Sequence, residues 1–83
     1  MAKSDEIRAR LQEAGAKFWA GDNISEFIEP GDKEALIEEL SVKFEDVLKG
    51  LVIDTENDPN SMDTGRRLAK MYINELMAGR YEP

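Results

Sequence analysis

The chain has 83 residues, 18 acidic against 11 basic side chains, a formal charge of −7, and neither cysteine nor histidine. This acidity argues against nonspecific nucleic-acid binding and against anionic membrane surfaces, both of which need a basic patch. Without Cys and His there are no disulfides, no thiolate chemistry, and neither the commonest metal ligand nor the commonest general base. A single domain this small buries only about 60% of the surface its unfolded chain exposes, so its stability is marginal unless partners help.

The first twenty residues hold no apolar core of a signal peptide, and no run approaches a membrane span, so a cytoplasmic chain is expected. Ser4 is the expected N-cap of a first helix, with Asp5 and Glu6 in its first turn. Ile7, Leu11, Ala14 and Phe18 recur at helical spacing, which predicts a helix over 5–18, with Gly15 as a weak point that can stop it early. Trp19 lies just beyond and reads as a core or interface anchor rather than a ligand-stacking platform, since no basic cluster surrounds it in sequence.

Gly21, Asp22 and Asn23 interrupt the pattern. Ile24, Phe27 and Ile28 then form a short apolar stripe, worth one or two helical turns, closed by Pro30-Gly31 and an Asp32 cap. The longest predicted helix covers 33–49. Leu36, Ile37, Leu40, Phe44, Val47, Leu48 and Leu51 make its wide apolar face. Glu39 to Lys43 and Glu45 to Lys49 are i,i+4 pairs in the favourable order. Glu34, Glu38, Glu45 and Asp46 read as a solvated face, since a di-iron bundle needs Glu-x-x-His motifs. Gly50 is the expected stop, and Leu51-Val52-Ile53 a short run expected to pack back on the helices.

An acidic connection follows from Asp54 to Asp63, turn-forming at Asn57-Asp58-Pro59-Asn60. It is not an EF-hand loop: counted from Asp54, position six is Pro59 and position twelve is Gly65. Thr64 is the expected cap of a last helix over 64–78, with Gly65 at its first position. Leu68, Tyr72 and Leu76 share one face, Ala69, Ile73 and Met77 lie beside it, and Gly79 is the expected stop. The expected fold is therefore all-α: one domain in which two long amphipathic helices are joined by an acidic turn and preceded by an N-terminal helix and a short helical turn. Trp19, Phe27, Ile28, Met71 and Met77 exceed what such a core readily buries, so a protein partner or self-association through them is expected.

The run Asp63-Thr64-Gly65-Arg66-Arg67-Leu68-Ala69-Lys70-Met71-Tyr72, preceded by Ile53-Asp54 and Asp58, resembles the N-terminal helical part of GTP cyclohydrolase I. That family carries Thr-Pro-x-Arg-Ile/Val-Ala-Lys-Met-Tyr at the start of a helix, after a long amphipathic helix and an acidic turn. The likeness covers residues 36–81 and is weaker before residue 32. It implies a homodecameric zinc enzyme that opens the guanine ring of GTP to give dihydroneopterin triphosphate. Its zinc is held by two Cys and a His, with another His as proton carrier. None of these exists in this chain, so no catalytic residue or zinc ligand carries over, and GTP is expected as a ligand only within a full-length enzyme. The resemblance assigns one residue, Arg67, to the substrate triphosphate. Read without it, Arg67 is a surface arginine paired with Asp63 at i,i+4. Gly65 stands where the family has proline. A stand-alone acidic interaction module is the alternative reading.

Overall fold

The computed structural model describes residues 2–61 and 63–83; Met62, inside the acidic connection, lies outside them. The described residues form helices and turns with no β-strand among them: α1 (Lys3–Glu13), a 3-10 turn (Ser25–Phe27), α2 (Asp32–Gly50), α3 (Thr64–Met71), a π-helical turn (Tyr72–Leu76) and α4 (Ala78–Tyr81). The expected all-α architecture is the observed one. No helix is long and apolar enough to cross a membrane.

The 19-residue α2 is the spine of the fold. α1 lies antiparallel along its first half, with Ser4 meeting Glu39 at one end and Arg10 meeting Asp32 at the other. α3 starts near the middle of α2, where Gly65 meets the backbone of Ser41 and Glu45, and Arg66 pairs with Glu38 beside it. The core lies between them. Ile7 and Leu11 of α1, Leu36 and Ile37 of α2, Ala69 and Ile73 from the last segment, and Ile24 from the loop form one buried cluster.

Helix α1 stops at Glu13, five residues short of the expected end. Gly15 takes a left-handed φ of +65°, and the Ala16 and Gly15 amides close onto the carbonyls of Leu11 (2.9 Å) and Gln12 (3.1 Å). This is the Schellman closure that glycine permits at low cost. Phe18 therefore leaves the helix face but still reaches the core from the loop. Ser4 is not the cap. The helix starts two residues earlier, at Lys3, without a side-chain cap of its own, and Ser4 gives its amide (2.8 Å) and hydroxyl to the Glu39 carboxylate of α2.

The end of α2 also departs from expectation. The helix runs through Gly50, and the left-handed residue is Val52, at φ +63°. Val52 and Ile53 donate to the carbonyls of Lys49 (2.9 Å) and Leu48 (3.2 Å), again a Schellman closure. A β-branched side chain in that position costs about 1–2 kcal/mol. Leu51 and Val52 do not pack back on the helices: both are exposed, and only Ile53 is half-buried.

The last helix is not continuous. It carries an i→i−5 bond from the Met77 amide to the Tyr72 carbonyl (2.9 Å), breaks at Met77, and restarts through Gly79 rather than ending there. The extra residue in the π turn shifts the phase of the face. Ile73 stays 1% exposed, while Leu76, expected beside the core, is 62% exposed. α4 then docks on the loop after α1. The Arg80 guanidinium donates to the carbonyls of Phe18 (3.1 Å), Trp19 (2.6 Å) and Asp22 (3.0 Å), and the Arg80 carbonyl accepts from the Ile24 amide (2.7 Å).

Candidate functional site

Arg67 sits one turn into α3 and is exposed. Its amide donates to the Asp63 carbonyl (3.0 Å) and its guanidinium reaches the Thr64 hydroxyl at 3.5 Å. The expected Asp63–Arg67 ion pair is absent among the described residues; the link between the two is helical backbone. Thr64 is the first helical residue rather than the cap, and its hydroxyl donates to the Asn60 carbonyl (3.2 Å). Arg66 pairs with Glu38 of α2. Lys70 follows Arg67 at i+3, so α3 presents Arg67 and Lys70 on one exposed face. A guanidinium held by no carboxylate, with an ammonium one turn away, has its donor fork open to an anion.

Gly65 is buried where α3 crosses α2. A Cβ there would lie 2.8 Å from the Ser41 carbonyl oxygen and 3.3 Å from the Glu45 amide nitrogen. Glycine is required by this close approach rather than by its φ, which sequence spacing gives no means of seeing.

The five apolar residues expected at an interface are placed unequally. Trp19 is 72% exposed, and the Lys17 ammonium lies 4.5 Å from its ring centre. Lys17 stands two positions before Trp19 in the chain. Phe27 and Ile28 are half-buried against the core, and Met71 and Met77 are half-buried. Surplus apolar surface lies instead at Val47, Leu51, Val52 and Leu76, with Val42 alone on the outer side of α2. The reason is length. The apolar stripe of α2 continues past the part that the 11-residue α1 can cover.

Two carboxylates hold the bundle together. Asp32, nearly fully buried at the start of α2, pairs with Arg10 and with Lys3 (3.3 Å), and accepts from the Glu29 amide (2.8 Å). Burial pushes its carboxyl up, but Arg10, the Glu29 amide and Lys3 outweigh that and hold it below the ordinary range. Glu39 shows the same balance. Burial raises it, and the Ser4 hydroxyl and amide with the Lys43 ammonium (2.9 Å) bring it down to about 2. The expected Glu45–Lys49 pair is present at 4.0 Å.

Because the folded pKa of Glu39 lies below its unfolded value near 4.5, its contribution is fully present above that value and is lost as the pH falls toward about 2. A loss of about 2 kcal/mol over this window is expected, discounted for the residual exposure of the pair. Urea melts at descending pH check this: Glu39→Gln should flatten the acid limb, and an unchanged limb would refute the assignment.

Near α4 a crevice of about 160 Å³ is lined by Ile7, Leu11, Phe18, Ile24 and Tyr81. Its two cations are already engaged, Arg8 by Asp5 (2.9 Å) and Arg80 by three carbonyls. In the acidic connection, Asp54 accepts from the Asn57 side chain and amide and from the Glu56 amide, which hold its carboxyl below its ordinary value. Among the described residues no three acidic side chains converge on a metal position.

These features define a small helical bundle with an open cationic face on one helix. Comparison with family models, with curated proteins and with solved structures finds no match.

Proposed function

We propose that this chain is the helical N-terminal part of a cytoplasmic enzyme of the GTP cyclohydrolase I type, and that its share of the work is scaffold and triphosphate contact rather than ring opening. The observation that carries the reading is Arg67. It is exposed, makes no ion pair among the described residues, and follows Thr64 at the opening of a helix that comes after a long amphipathic helix and an acidic connection. This is the order that the sequence likeness requires. Lys70, one turn on, adds positive charge to the same face.

The Cys and His ligands of that family's zinc do not occur among these 83 residues. Gly65 marks a local departure. Where the family has proline, this chain has a glycine pressed on the Ser41 carbonyl.

Two measurements test the proposal. The reading frame should continue past Pro83 into a segment rich in Cys and His, and a stop codon there would overturn it. The purified chain with GTP and zinc should give no pterin fluorescence. It should show weak, salt-sensitive GTP binding that Arg67→Ala abolishes, because a single fixed guanidinium on a chain of charge −7 holds a triphosphate feebly. Binding indifferent to Arg67 would remove the residue from the site. The stand-alone interaction module is the second reading, favoured by the exposed Val47, Leu51 and Val52.

A further inference from the structure

The end of α2 combines two costs that nothing inside the chain repays. Val52 occupies the left-handed position of a Schellman closure, at φ +63°, where glycine is the usual residue. Its side chain is also 92% exposed. Val47 near the end of α2 and Leu51, which caps it, are exposed as well. Leu48, by contrast, is buried and Ile53 half-buried. The strained residue therefore fixes a backbone corner and projects an apolar group into solvent from it. Strain of this kind persists where it serves a contact.

The charges around the corner decide what it fits. Asp46 precedes Val47, and Asp54 and Glu56 follow Val52 by two and four residues; all three are exposed, and none makes an ion pair among the described residues. The Lys49 ammonium is turned to Glu45 at 4.0 Å, and Lys43 to Glu39 at 2.9 Å. A second copy meeting this corner through a two-fold axis would set acid against acid, in a chain already at −7. We propose that the Val47–Leu51–Val52 corner is a docking surface for a protein segment whose apolar side chains are flanked by lysine or arginine. Its apolar centre supplies the contact, and the acidic rim sets orientation and excludes the chain's own copies. The inference stands apart from the Arg67 face and does not depend on it.

A synthetic amphipathic Leu/Lys helix of about four turns serves as the probe, with a Leu/Glu peptide of the same pattern as its control. Titration should show salt-sensitive binding of the Leu/Lys peptide and none of the Leu/Glu peptide. Val52→Gly should raise Tm by about 5 °C through relief of strain, and weaken the Leu/Lys peptide by about tenfold. Stability and binding then move in opposite directions, which a purely structural residue cannot produce. Leu51→Ser should weaken binding to a similar degree, and Val42→Ser, on the opposite side of α2, should leave it unchanged. Equal affinity in the Val52→Gly variant would reduce the interaction to bulk charge and overturn the proposal. So would equal binding of the Leu/Glu peptide, or a concentration-dependent dimer in sedimentation that Val52→Gly abolishes.

Discussion

Asp32→Ala is expected to lower the unfolding free energy by about 3 kcal/mol. The carboxylate is 2% exposed and ties three elements at once. It holds α1 through Arg10 and Lys3, the loop through the Glu29 amide, and α2 by standing at its start. Removing it leaves two cations facing each other and an amide without its acceptor. Arg10 keeps the Phe27 carbonyl at 2.9 Å and the Glu29 carboxylate at 3.5 Å, and Lys3 keeps Glu6 at 3.4 Å. The two cation side chains are each about a quarter exposed, so water recovers part of the loss and the figure falls at the low end for broken buried pairs. A domain of this size has roughly 5–10 kcal/mol in total, so the variant should unfold near ambient temperature or at low denaturant. Guanidinium melts of Asp32→Ala and Arg10→Met, with their double variant, measure the coupling. A loss under about 1 kcal/mol for Asp32→Ala would show that the pair merely decorates the bundle.

Gly65→Ala should destabilise the fold by about 2 kcal/mol, although alanine is ordinarily the better helix former by about 1 kcal/mol. The added methyl would lie 2.8 Å from the Ser41 carbonyl oxygen, which is backbone and cannot swing aside. Relief requires α3 to move off α2, and that loosens the packing of Ala69 and Ile73, which are 0% and 1% exposed. Gly50→Ala is the matched control. It lies near the end of α2 with nothing within 4 Å of its added Cβ, and should gain up to about 1 kcal/mol. Opposite signs in thermal melts of the two variants would establish the helix crossing at residue 65. A gain at both positions would mean that α3 rides farther from α2.

Much of the fold was legible because it rests on local periodicity. Recurring apolar residues such as Leu36, Ile37 and Leu40 mark α2 to within a residue at each end, since the pattern repeats over five turns. The short turn around Phe27 and the start of the last helix at Thr64 were equally local. Arg67 was singled out by likeness, not by periodicity, and its exposure is a property of the folded helix.

By itself, then, the sequence determined the helical class, the order and approximate extent of the helices, and the absence of Cys and His chemistry, because each follows from composition or from neighbours a few residues apart. Tertiary structure alone decided the rest. Glu39 serves α1 from 35 positions away, and Arg80 fastens carbonyls some 60 positions earlier in the chain. Gly65 is needed for a crossing that spacing cannot reveal, a π turn puts Leu76 outside, and α1 is too short to cover Val47 and Leu51. These outcomes depend on which surfaces meet and how closely, and a pattern read along one chain carries periodicity but not the distance between helices.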